Sequence, residues 1–213
     1  MTTPTPTLTR FASTAALKLS LAATLSLPLW ALAAAPVAAP APAAPPATAV
    51  TLVPAQSEIS FVAKQLGVPL AGRFKRFTVQ SNFNPKSPQT SQIAFAIELG
   101  SASVSAEADP ELSKADWFNV PKFPQASFQS TAIKALGGGK FEVAGKLAIK
   151  GNARDLVVPM QLTQAGALST ATGGFTLKRL DFKVGDGEWT DTSIVANEVQ
   201  VKFKIVLQGV PAQ

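Results

Sequence analysis

The stretch that most constrains this chain is its last long alternation, residues 196–207, Ala-Asn-Glu-Val-Gln-Val-Lys-Phe-Lys-Ile-Val-Leu. Val199, Val201, Phe203, Ile205 and Leu207 fall on one face, Glu198, Gln200, Lys202 and Lys204 on the other, and Val206 is the single break. Successive side chains of a strand point to opposite sides of its sheet, so a period of two means one dry face and one wet face. Antiparallel sheets accept that arrangement; parallel sheets, covered on both sides, rarely do. A strand in this last position needs a partner on each edge, and a closed barrel supplies both. The expectation is an all-β antiparallel barrel with this strand as its closing stave.

The same alternation recurs upstream. It is carried by Ile59, Phe61 and Ala63, by Phe77, Val79 and Phe83 in a long strand from Arg73 to Phe83, and by Ile93, Phe95, Ile97 and Leu99. It returns at Ala126 and Phe128, at Val143, Gly145, Leu147 and Ile149, at Leu156, Val158, Met160 and Leu162, and at Phe175 and Leu177. Gly67, Pro69 and Gly72 mark a turn or bulge, residues 84–88 and 151–155 are breakers, and Gly137-Gly138-Gly139 closes a hairpin. The sum is about eight strands, a number that closes into a barrel just wide enough for one small ligand. The pattern fails only at 107–118. There a short helical insertion near 108–118 is expected across one end of the sheet, with Asp109 as N-cap and Pro110 at the first helical position.

The first fifty residues cannot belong to that barrel. Arg10 and Lys18 precede an almost wholly apolar run, 19–32, which Pro28 interrupts, and Ala31-Leu32-Ala33 fits a small-residue cleavage site. This is the pattern of a secretory signal peptide, 1–33, cut after Ala33 or alternatively after Ala35 or Ala38. Residues 34–49 are Ala and Pro except for Val37 and Thr48, a semi-extended linker with nothing to bury. The folded domain is expected at 50–209, after export.

Composition removes much chemistry. The 213 residues include no Cys, so there is no disulfide framework or thiolate site, and no His, the commonest general base and metal ligand. The formal charge is +6; without Arg10 and Lys18 it is 17 Lys+Arg against 13 Asp+Glu, or +4, dispersed along the chain. That is a solvated surface and no nucleic-acid footprint. Asp181, Asp186, Glu188 and Asp191 cluster around Trp189 and raise two alternatives, a carboxylate-dependent hydrolase or an oxygen-ligand calcium site. No dense ligand pattern or nucleophile motif accompanies them, and a polar loop capping the barrel over Trp189 accounts for the cluster. No catalysis, metal or catalytic cofactor is expected.

Lys, Glu and Gln at mid-strand on the wet faces, with Phe, Ile, Leu and Val on the dry ones, describe a barrel with an apolar interior. Small residues on that inner face (Ala63, Ala126, Gly145) stand beside bulky Phe. Spacing alone leaves a filled core and a tunnel equally open.

Several segments, however, resemble the YceI family. They are Val53 to Phe61, Gly72-Arg73-Phe74, Trp117 to Pro124, Phe128-Gln129-Ser130, Gly145 to Gly151 and the strand Val199 to Ile205, so the resemblance spans Val50 to Gly209. It implies a lipocalin-like barrel of eight antiparallel strands, secreted to the periplasm, that holds a long isoprenoid or acyl chain in an apolar tunnel. Gln56 and Gln65 stand where the family often has His. A neutral head such as a quinone ring stays compatible with glutamine, whereas a diphosphate would call on Arg73, Lys75 or Arg76. The lining expected under this resemblance is Ile59, Phe61, Phe77, Phe95, Ile97, Phe128, Leu147, Val158, Met160, Phe175, Val201 and Phe203, with Phe118 and Phe123 as a flap at the entrance. The expected occupant is an isoprenoid quinone or polyprenyl lipid. The alternative is a filled-core barrel that docks on a membrane redox protein, and a homodimer is compatible with either.

Overall fold

The structure, a computed structural model, describes residues 50–213, so the expected signal peptide (1–33) and Ala/Pro linker (34–49) lie outside it. Eleven strands follow one another: β1 (Thr51–Leu52), β2 (Glu58–Gln65), β3 (Val68–Phe74), β4 (Phe77–Ser81), β5 (Ile93–Glu98), β6 (Ala102–Ser103), β7 (Gln125–Gly137), β8 (Lys140–Ile149), β9 (Asn152–Ala165), β10 (Leu168–Lys178) and β11 (Glu198–Gln208). They form one sheet in the order β4-β5-β7-β8-β9-β10-β11-β2-β3-β6, with β1 added beside β11, and every pairing is antiparallel. The sheet curls on itself, because inner-face residues of strands as distant in the order as β4 and β11 line the same cavity. The antiparallel barrel with one short helix is therefore borne out.

The closing strand behaves as its alternation demands. β11 pairs with β10 along its whole length and with β2 and then β1 on its other edge. Val206, the break in the pattern, is buried where the N-terminal turn folds over the strand: its carbonyl accepts the Val53 N–H at 2.8 Å and its own N–H donates to Ser57 Oγ at 2.9 Å.

Three expectations are corrected. The stretch from Arg73 to Phe83 is two strands, because at the corner the Lys75 N–H donates to Ser101 O (3.1 Å) and the Arg76 N–H to Ser101 Oγ (3.0 Å). β3 continues the β2 hairpin through the tight turn Leu66-Gly67, both at positive φ, while β4 turns away to pair with β5. The breaker expected at 151–155 shrinks to Lys150-Gly151, a two-residue turn at positive φ, and Asn152 to Asp155 join β9. The helix, α1, is only Ala108–Leu112. Asp109 lies inside it; its carboxylate accepts the Val104 N–H at 2.6 Å while Ser105 Oγ caps the Ala108 N–H at 3.2 Å. Residues 113–118 are turns in which the Phe118 N–H returns to Leu112 O, so the insertion packs as a compact knot.

Beyond Glu98 the chain makes a 3-10 turn, Leu99–Ser101, and continues as β6, which meets β3 at Arg73↔Ser103 and Phe74↔Ala102. One bent stave thus pairs with β4 at one end and β3 at the other. Two apolar clusters pack inside the barrel, one around Phe83, Phe141 and Ile205, the other around Leu99, Phe118 and Phe182.

Candidate ligand-binding site

The interior is not filled. Two apolar lobes lie end to end along the barrel. The upper has about 100 Å³ of room for the centre of a water-sized sphere, the lower about 140 Å³. Ile59, Ile97, Leu147, Phe175 and Val201 line both and form the waist where they meet. Ser81 is the one polar residue in the upper lining and Arg179 the one in the lower. A cavity without polar partners does not hold water well, and an empty one forfeits packing at about 24 cal/mol per Å³, or roughly 2–3 kcal/mol per lobe. Space of this kind suits an apolar occupant.

The sequence has a device that keeps the space open. Phe61 stands opposite Gly72 in the β2–β3 ladder, Phe203 opposite Gly173 in the β10–β11 ladder, and Phe128 leans on Gly145 from β7 to β8. A Cβ on any of the three glycines would collide with the ring. Each ring therefore lies down on a neighbouring strand instead of reaching across the lumen. This is why small residues beside large ones yield a tunnel here and a tapered solid core elsewhere.

The lower end is closed by 179–197, and two cations hold it. Arg179, 2% exposed, spends all five of its donors on backbone carbonyls. Nε bonds to Ala196 O (3.1 Å), Nη1 to Val184 O and Gly185 O (both 3.0 Å), and Nη2 to Trp189 O (2.5 Å) and Val195 O (2.7 Å). Burial pulls its pKa below the ordinary arginine value. No carboxylate balances it among the described residues; oriented carbonyl dipoles do. Lys150 Nζ, also buried, donates to Lys183 O (2.6 Å), Asp116 O (3.2 Å) and Asp186 Oδ2 (3.1 Å). Trp189 packs on Trp117 with ring centres 5.4 Å apart.

The acidic cluster around Trp189 belongs to this cap. Asp186 is paired with Lys150, and Asp191 accepts both the Ser193 N–H and hydroxyl, which draws its pKa down. Among the described residues no three acidic side chains converge as a metal ligand set would require.

Of the expected lining, Ile59, Phe61, Phe95, Ile97, Phe118, Phe128, Leu147, Val158, Met160, Phe175, Val201 and Phe203 face one lobe or both. Phe77 does not: it packs on the upper cluster but, at the start of β4, lines a surface groove. Phe123 does not either, sitting over Gly151 with the Lys122 ammonium 5.4 Å from its ring. Phe118 is buried in the lower wall against Phe74, ring centres 6.2 Å apart. Sequence reasoning missed Phe74, Trp117, Arg179, Phe182, Val184 and Val195 in that lobe. The last four lie in or beside the 3-10 turns of the cap, where no period of two exists to mark them.

Comparison with known proteins agrees with this geometry. A family model described as the YceI-like domain matches residues 51–207. A UPF0312 protein of Yersinia pestis (strain Pestoides F) is 32% identical over 157 residues, 69% of this chain and 78% of the relative. The crystal structure of Burkholderia cenocepacia BcnA superposes with a TM-score of 0.71 at 42% identity, covering 73% of this chain and 98% of that one. A polyisoprenoid binding domain from Saccharophagus degradans, implicated in plant cell wall breakdown, shares the fold at 14% identity, with a TM-score of 0.62 over 77% of this chain and 99% of that one.

Proposed function

The chain belongs to the YceI-like family, and on that premise we propose that its barrel is a non-catalytic carrier that holds the tail of an isoprenoid lipid, a quinone or a polyprenyl compound. The observation that carries the reading is the pair of continuous apolar lobes, kept open by rings folded onto glycines. The polyisoprenoid-binding name of a protein with the same fold supports it. Binding is partition: each methylene moved from water contributes about 0.8 kcal/mol, so a tail of a few isoprene units is held without polar contacts. Polar groups decide only how the ligand is oriented and which head is accepted.

The pattern of 1–33 supports export and a periplasmic site of action, with 34–49 as a spacer. The test is organic extraction of the protein purified from its own periplasm, read by mass spectrometry and ultraviolet absorption. A stoichiometric isoprenoid is expected. Phe95→Asp and Leu147→Asp, which put a carboxylate into the upper lobe and the waist, should lose it while circular dichroism confirms the fold. A folded variant with full lipid content, or a protein that neither carries nor takes up any prenyl lipid, would overturn the reading.

A further inference from the structure

The turn that joins β2 to β3 carries the wrong residue for its shape. Leu66 and Gly67 take positive φ, +49° and +80°, between the ladder partners Gln65 and Val68. A two-residue turn of that kind selects Asn, Asp or Gly, and a leucine there is a backbone outlier. Burial does not compensate. Leu66 is 72% exposed and Val68 60%, and a methyl built on Gly67 would meet nothing within 4 Å. Residues 64–69 are exposed without a break, so the tip projects clear of the barrel. Strain and exposure both weigh against this leucine in the free protein, which points to burial against something outside it.

Two other large apolar side chains are exposed among the described residues, Leu136 near the end of β7 and Val157 on the outer face of β9. Each stands alone, and single exposures of that kind are ordinary. The pair at the tip differs in position as well. Phe61 and Ala63 line the lower lobe, their ladder partners Gly72 and Leu70 share that face, and the next pair outward on it is Gln65↔Val68. Ala63, Leu70 and Val68 thus lay an apolar track from the lobe to the tip. The tip is also tied to the cap. The Leu66 N–H donates to Ile194 O (2.8 Å), Gln65 bridges to Val195, and the Ala196 N–H donates to Lys64 O (2.9 Å). Val195 itself lines the lobe.

We infer that the β2–β3 tip docks on a lipid bilayer, with Leu66 and Val68 entering its hydrocarbon edge and the lower end of the barrel turned towards the membrane. The choice of a bilayer rests on the reading of the barrel as a lipid carrier, whose cargo is drawn from a membrane. The shape of the tip favours it too. Two side chains on a convex turn fall far short of the roughly 800 Å² a side of a stable protein–protein contact, whereas a bilayer accepts a protruding apolar wedge. Charge selects no headgroup: the turn carries none, and one of each sign stands beside it, Lys64 before it and Asp191 in the loop it bonds to. Docking is therefore apolar insertion and not attraction to an anionic surface.

The test is flotation of the protein purified from its own periplasm with phosphatidylcholine vesicles that contain no isoprenoid. The native protein should float with the vesicles equally at low and high salt. Leu66→Asn/Val68→Thr should lower its affinity for them by about tenfold or more. Leu66→Asn alone should raise the midpoint of chemical denaturation, because asparagine suits the turn. A lowered midpoint would mean that the leucine serves the fold, and overturns the inference. To place the contact, Leu66→Cys, Leu136→Cys and Val157→Cys, each the only thiol in its chain, carry an environment-sensitive fluorophore. Vesicles should blue-shift the first and leave the other two unchanged; an equal shift at all three overturns the tip as the docking point. So does vesicle binding that high salt abolishes, or a native protein that ignores vesicles. If that protein instead forms a dimer that Leu66→Asn dissolves, the occupant is a second copy of the chain. Since the vesicles hold no isoprenoid, the two readings fail separately: a protein that docks through its tip but yields no lipid on extraction loses the carrier and keeps the docking site, and a loaded protein that does not dock does the reverse.

Discussion

The wall and the lower cap of this barrel are held together by opposite means. The wall is ladder hydrogen bonds and apolar rings: β7 to β11 pair each with the next, and what they bury is mostly Phe, Ile, Leu and Val. The cap at 179–197 has almost no ladder. It is an irregular chain folded around two buried cations, each gripping carbonyls from separate turns. The wall's stability is spread over many small contributions; the cap's is concentrated in two side chains. The wall leaves two apolar lobes open, and the polar clamp shuts the lower end without filling them.

The comparison breaks first at Arg179. Replacing it with Met leaves five carbonyls to find water in a buried site, at about 1–3 kcal/mol for each one left unsatisfied. Even with relaxation, chemical denaturation should show a loss of at least roughly 3 kcal/mol, and Arg179→Lys, with three donors in place of five, should recover only part of it. A loss below about 1 kcal/mol would mean that the cap is carried by the Trp117–Trp189 contact instead.

Gly72→Ala probes the wall and should do the reverse. The atoms its new methyl meets are the far end of the Phe61 ring and a methyl of Val104, both side chains free to move. Stability should change by less than about 1 kcal/mol, while Phe61 swings into the lower lobe and affinity for long prenyl tails drops severalfold in a fluorescence titration. Unchanged tail affinity would show that the ring does not set the lumen. Gly173→Ala is a poorer probe, because its methyl would also strike the backbone carbonyl of Pro159.

The smallest expected effect is one of pH, at the knot before β7. The Val104 N–H, which donates to the Asp109 carboxylate, holds that group's pKa below the usual aspartate value. A depressed folded-state pKa contributes stability above the unfolded value, near 3.9, and loses it as pH falls through the folded one. Protection of the Val104 amide, its exchange rate taken relative to that of an unstructured amide at the same pH, should therefore hold at pH 5–7 and fall only below about pH 4. Protection already lost at pH 5 would mean that the carboxylate is not the partner that provides it.

Much of this was legible beforehand because a strand writes its environment into every second residue. The inward faces of β2, β5, β8, β9 and β11 could be read directly, and nearly all the residues named from them do line the lobes. Phe77 misled because it shares the face of Val79 and Ser81, which do line the upper lobe, but stands at the first position of β4, where it lines a surface groove instead. Phe123 misled because it follows the turns of the α1 insertion, where position in the chain says little about direction in space.

What the sequence by itself determined is the barrel: period two sets which side chains are dry, glycine-containing turns set the hairpins, and the absence of Cys and His removes whole classes of chemistry. What only the tertiary structure decided is where the barrel is empty and what shuts it. Whether Phe203 crosses the lumen or lies flat depends on Gly173, thirty residues away in the chain but adjacent in the ladder. Arg179 is an ordinary surface residue to any local reading; it becomes a clamp because carbonyls from five positions between Val184 and Ala196 converge on it. Backbone acceptors carry no side-chain signature, so no pattern of residue types could have announced them.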